Sequence, residues 1–182
     1  GQLSPSMTLA ITSKAKKMKT AGEDVLAMSA GEPDFDTFDF IKEAAIQALN
    51  DGKTKYTPAV GDMALRKAVA AKFETDNGIK TAPERCVVAP GAKFSCFTAI
   101  AAICGPGDEV ILPAPYWVSY PEMVKATGAT PVVLNTKAEN NYEVDLAELE
   151  SAVTDKTKLV VLNTPSNPTG AVYREATLRA IA

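Results

Sequence analysis

Three short segments of this 182-residue sequence carry residue types that could hold a ligand: APGAK at 89–93, PAPYW at 113–117 and NTPSNPTG at 163–170. In the first, Gly91 allows the backbone to come close to a ligand. The free amides of a helix starting at Ala92 would favour an anion such as phosphate. The same residues equally suit an ordinary strand-to-helix turn. They form neither G-x-G-x-x-G nor a Walker A pattern, so a dinucleotide or nucleoside triphosphate is not indicated. In the second, Trp117, the single tryptophan, is a flat aromatic that could stack on a planar ring or anchor a core. In the third, Pro165 and Pro168 fix φ, and Pro168 drives Asn167 out of the helical region. Asparagine often serves turns, but a turn does not need two flanking prolines, and such rigidity suits an amide aimed in one direction. Histidine is absent. No Ser-His-Asp or Cys-His nucleophile and no histidine-ligated metal can be built from this chain. Its chemistry must rest on lysine, tyrosine, carboxylates, backbone amides or a borrowed cofactor.

Those loops need elements to position them. Residues 6–20 read as a helix stopped by Gly22, and VLAMSAGEPDF as an extended piece entering a loop. Ile41, Ala44, Ala45, Ala48 and Leu49 recur on one helical face, with Gly52 placed to end it. Met63 to Asp76 reads as a second amphipathic helix, with Leu65, Ala68, Val69 and Phe73 inward and Gly78 just beyond. After that the rhythm alternates. Cys86–Ala89, Glu109–Leu112, Thr130–Leu134 and Lys158–Leu162 read as strands. Ala92–Cys104, Pro121–Thr127 and Asp145–Val153 read as helices, the last capped by Asp145. The helix from Ala92 is apolar nearly all round and is expected to be deeply buried. Gly105 to Asp108 reads as a turn. Strands alternating with helices predict a mostly parallel sheet covered on both faces, an α/β fold. In such sheets ligands bind beyond the carboxyl ends of the strands, where the three loops fall. The closing REATLRAIA begins a core-facing helix without a stop signal, as expected for the front part of a longer protein.

Composition is that of a globular protein, with 46% hydrophobic and 23% charged residues. A net charge of -3 without a basic run points away from nucleic acid and acidic membranes. No apolar run is long enough to span a bilayer. The N-terminal lysines flank no apolar signal core, so the expected location is cytoplasmic. Cys86, Cys96 and Cys104 match no zinc or C-x-x-C spacing and are expected as buried free thiols.

The motifs SAGEPDFDT, KYTPAVGDMALRKAVA, GDEVILPAPYWVSYPEMV and NTPSNPTGAVY, in this order, resemble the class I, fold type I aminotransferases dependent on pyridoxal 5'-phosphate (PLP). More narrowly, they are similar to the bacterial aspartate and aspartate/prephenate aminotransferase branch. The resemblance implies an aspartate aminotransferase-like, three-layer large domain that is incomplete here. Residues 1–36 would be an N-terminal arm and small-domain segment, and 37–182 the first part of the PLP-binding domain. It implies that Gly31 binds the substrate α-carboxylate and that Tyr56 reaches the cofactor phosphate of a partner subunit in a homodimer. Gly91, Ala92 and Lys93 would cradle the phosphate, Trp117 would stack on the pyridine ring, and Asn167 would bond its phenolic oxygen. Trp117 and Asn167 would also border the substrate. The Schiff-base lysine, the aspartate paired with the pyridine nitrogen and the substrate-gripping arginine would follow NPTG in the family and are not among these residues. The family's sheet is mixed, with later strands lying between earlier ones, so these four strands would not all be neighbours, and unpaired edges and apolar faces would be exposed. The implied reaction moves an amino group from an amino acid, aspartate foremost, to a 2-oxo acid such as 2-oxoglutarate. A non-catalytic fragment of such an enzyme and a PLP-dependent lyase on the same fold are the other readings. One departure is DFDTFDFI, where Phe38 and Phe40 replace the family's proline and histidine.

Overall fold

A computed structural model describes Ser4, Pro5 and residues 7–182. The described residues divide into two compact units, one of residues 5–89 and one of Ser4 with 90–182.

The unit of 90–182 holds helix α4 (Ala92–Ile103), strand β1 (Glu109–Ala114), helix α5 (Ser119–Ala126), strand β2 (Thr130–Asn135), helix α6 (Leu146–Ala152), strand β3 (Thr157–Val160) and helix α7 (Glu175–Ile181), following helices α1 (Met7–Thr20), α2 (Asp39–Asn50) and α3 (Met63–Asn77) of the other unit. The sheet is parallel throughout, in the order β2-β1-β3. Parallel neighbours require crossovers, and α5 and α6 supply them. Successive residues of β1 point to opposite faces. Val110 and Leu112 pack with Ile100 of α4, Cys104 just beyond its end, and Met123 and Val124 of α5. Ile111 packs the other way, with Leu149 of α6, Leu178 of α7, and Val132 and Val160 of its neighbour strands. The result is the expected helix–sheet–helix sandwich. Val110, Ile111 and Leu112 are wholly buried, and burial of such side chains is worth about 1.5–3 kcal/mol each.

Pro113 sits in the central strand, where proline is ordinarily excluded. The pairing pattern explains it. Glu109 N donates to Lys156 O, and Val161 N donates to Ile111 O, so odd residues of β1 face β3. The paired register with β3 ends at Ile111 and Val160. The missing donor of Pro113 therefore faces no strand.

Two expectations are corrected here. Cys86–Ala89 is extended but joins no sheet; its one ladder-like bond is Val88 N to Val60 O at 3.0 Å. A strand needs a partner, and none of the described residues offers one. Secondly, α4 is not deeply buried. Only Ile100 is, while Phe94 and Ile103 are 50% and 54% exposed. Its all-round apolarity reflects faces that nothing among the described residues covers.

In the unit of 5–89, the N-terminal helix appears as Met7–Thr20; Ser6, where it was expected to begin, lies outside the described residues. The helix α2 forms as read, but Ile41 and Leu49 on its apolar face are exposed. The helix α3 is capped by Asp62, whose carboxylate accepts from Ala64 N (2.8 Å) and Leu65 N (3.2 Å), and it ends at Gly78 in the left-handed conformation. Its inward face was misread. Arg66 and Ala70 are buried, while Leu65 and Phe73 are exposed. Arg66 Nε donates to Cys86 O at 2.8 Å, which turns the arginine inward. Asp145 caps α6 as expected, and Gly105 N bonds Asp108 Oδ2 in the expected turn. The cysteines are free, with Cys96 only half buried. Among the described residues no helix is long and apolar enough to cross a membrane, and no cluster could hold a metal ion.

Candidate active site

The three loops singled out in the sequence all belong to the unit of 90–182. Gly91 is the N-cap of α4, at φ +90° and ψ 160°. A Cβ added there would meet nothing within 4 Å, so backbone conformation, not crowding, demands glycine. No side chain caps α4, and residues 91–95 are exposed. An uncapped first turn presents unsatisfied N–H groups and the positive end of the helix dipole, which suits an anion.

Lys93, in that first turn, places Nζ 5.1 Å from the centre of the Trp117 ring. Trp117 follows β1, is half buried, and meets Tyr120 edge to face at 5.5 Å. It packs against the core cluster of α4, α5 and β1. The tryptophan is thus both anchored and available, with a cation over its ring. Burial holds the Tyr120 phenol above its usual pKa, so it stays a protonated donor.

Asn167 lies on the loop after β3, preceded by a cis Thr164–Pro165 bond and followed by its own cis bond to Pro168. Asn163 Oδ1 accepts from Asn167 N at 2.8 Å. Ser166 N donates to Ala171 O (2.8 Å), Gly170 N to Ser166 O (2.7 Å), and Tyr173 N to Thr164 Oγ1 (3.1 Å). The loop is therefore tied to itself, yet the Asn167 side-chain amide has no hydrogen bond among the described residues, and the residue is exposed. Asn163, Asn167 and Tyr173 share with Tyr116, Tyr120 and Tyr142 the lining of a cavity of about 20 Å³, room for about one water. The cavity lies just past the carboxyl ends of β1, β2 and β3.

Gly31 and Tyr56 belong to the other unit. Gly31 sits in an extended, exposed passage, and Tyr56 is fully exposed.

A group the sequence reading missed stands behind the Asn167 loop. The Glu143 carboxylate, 1% exposed, accepts from Arg174 N (2.7 Å), Arg174 Nε (3.0 and 3.1 Å), Arg174 Nη2 (2.7 Å) and Thr177 Oγ1 (2.6 Å). The Arg174 guanidinium and the Thr177 hydroxyl hold this carboxyl well below its usual range, at about 2. The partners lie 31 and 34 residues away, and no local pattern announces them.

Residues 23–182 match the family described as aminotransferase class I and II. The chain is 50% identical over 180 residues to the aspartate aminotransferase of Bacillus sp. (strain YM-2), covering 99% of this chain and 46% of that protein. It is 47% identical to the aspartate/prephenate aminotransferase of Cereibacter sphaeroides, covering 99% and 45%. The solved aspartate aminotransferase from Thermus thermophilus with maleate superposes with a TM-score of 0.95 at 46% identity, over 98% of this chain and 47% of that one. The chain thus spans about half the length of the relatives it matches.

Proposed function

This chain belongs to the class I and II aminotransferases, and from that premise we propose that the protein it forms part of moves an amino group from aspartate, or a related amino acid, to a 2-oxo acid with PLP as cofactor. The observation that carries this is the placement of Lys93, at the uncapped start of α4, against the ring of Trp117. An anion-binding helix start beside an aromatic face matches a cofactor with a phosphate at one end and a planar ring at the other.

Gly91, Ala92 and Lys93 hold the phosphate, with backbone N–H groups donating and the lysine adding charge. Trp117 holds the ring face. Asn167, its side-chain amide free of internal bonds, donates to the phenolic oxygen and fixes the ring's tilt. When bound, the cofactor supplies an electron sink for bond breaking at the substrate α-carbon. Gly31 is assigned to the substrate α-carboxylate through its backbone, and Trp117 and Asn167 are assigned to the border of the substrate. Tyr56 reaches the phosphate of a partner subunit in a homodimer, a role that its full exposure supports. The lysine that links the cofactor covalently is assigned outside residues 1–182, and residues 1–36 and 37–182 are assigned to the arm and to the start of the large domain. By itself, this chain would then not turn over.

The test uses the full-length protein loaded with PLP. Aspartate with 2-oxoglutarate is expected to give oxaloacetate and glutamate. No visible absorption band on adding PLP would sink the proposal, and pyruvate release from cystathionine without amino transfer would replace it with a lyase.

A further inference from the structure

The loop that carries Asn167 leaves β3 and returns to the body of the domain at Tyr173 and Arg174, and there it is fastened to one carboxylate. Glu143 accepts from the Arg174 backbone N–H, from its guanidinium and from the Thr177 hydroxyl. Tyr173, the residue before, is buried. It packs in the same cluster as Val144, next to Glu143, and its own N–H reaches back to Thr164 Oγ1 at 3.1 Å. Asn141 Nδ2 adds a bond to Val172 O at 3.3 Å. The segment 141–144 thus grips the loop's return limb, and Thr164 passes that grip to the outgoing limb. Asn167 lies between the two limbs. Tyr142, Tyr173 and Asn167 line one cavity, so a shift of the grip is felt at the asparagine.

We propose that Glu143 is a positioning residue for Asn167: a buried carboxylate that clamps the 163–173 loop and so sets where the asparagine amide meets the cofactor ring. This rests on the reading of Asn167 as a cofactor contact. The argument is one of geometry and of strength. Hydrogen bonds to an ionised group are about twice as strong as neutral ones, and this carboxylate receives several from Arg174 and Thr177, where the loop runs into α7. An amide displaced by a fraction of an ångström loses alignment with its acceptor.

The experiment compares full-length wild type, Asn167→Ala, Glu143→Gln and the double variant. The first readout is the pH midpoint of the visible absorption band of the PLP-loaded protein. Asn167→Ala is expected to shift it, Glu143→Gln to shift it the same way by less, and the double variant to match Asn167→Ala alone. The second readout is amide hydrogen exchange of the cofactor-free protein, where Glu143→Gln is expected to speed exchange across 163–173 by about tenfold while β1 stays protected. If Glu143→Gln does not fold, Arg174→Ala, which removes the guanidinium and leaves the backbone donor, takes its place. An unshifted Asn167→Ala band overturns the reading of Asn167 and the role of Glu143 with it. A shifted Asn167→Ala band beside an unshifted Glu143→Gln band, additive shifts in the double variant, or unchanged loop exchange overturns the role of Glu143 alone.

Discussion

At Gly91 a single backbone angle separates an ordinary turn from an anion site. Its positive φ is one that side chains rarely adopt, and a methyl group there would meet no neighbour. Gly91→Ala therefore tests conformation with little confusion from packing. Holding alanine in that region costs of the order of 1–3 kcal/mol, so the start of α4 is expected to reset. PLP affinity of the full-length protein should then fall about tenfold or more by fluorescence titration. An unchanged affinity would mean that these amides do not hold the phosphate. Glu143 makes a prediction in pH. Its folded pKa, about 2, lies below its ordinary 4.5, so its contribution is complete above 4.5 and is lost as pH falls toward 2. Protection of the 163–173 amides is expected to decline across that window in wild type and to be flat there in Glu143→Gln. At this scale Gly91 and Asn167 stood out in the sequence as candidates, because glycine and proline constrain their own neighbourhoods, and Trp117 stood out as the single tryptophan. Glu143 was hidden, because a clamp between residues 31 positions apart leaves no local trace.

The elements were mostly legible, because their signals are periodic and local. Asp145 was legible as a cap and accepts two backbone amides; Asp62, which caps α3 in the same way, was not singled out. Asp145→Ala is expected to cost about 1 kcal/mol in chemical denaturation of the full-length protein. Within β1, Ile111→Ala should cost about 2–5 kcal/mol, since a wholly buried side chain leaves a cavity in the lower layer. A loss under 1 kcal/mol would show that the layer collapses around the gap. Reading failed where an element's neighbours decide its fate. Cys86–Ala89 has a strand's composition but no ladder to join. The apolar face of α3 was read from Leu65 and Phe73, yet the hydrogen bond from Arg66 to Cys86 O selects the adjacent face, that of Arg66 and Ala70. Periodicity finds a face; only packing says which face is used.

Across the whole molecule, apolar surface is left open on α1, α2, α3 and α4, including Leu9, Ile41, Leu49, Phe73 and Phe94. Exposed apolar surface of this kind favours association. Residues 1–182 expressed alone are expected to bind a hydrophobic dye and to elute at a size that grows with concentration, unlike the full-length protein. A monomeric, dye-silent fragment would show that these faces close on themselves.

The order β2-β1-β3 carries a consequence for how such a chain is made. Synthesis proceeds from the N-terminus, so the middle strand leaves the ribosome first and the flanking ones follow. Each later strand meets a template already in place, and β1, whose residues 110–112 are sealed on both faces, becomes the seed of the sheet. The last strand to arrive, β3, presents a fresh row of unpaired amides and carbonyls. Nascent chains long enough for α7 to have left the ribosome should therefore already protect β1 from exchange, while the outer edge of β3 remains open.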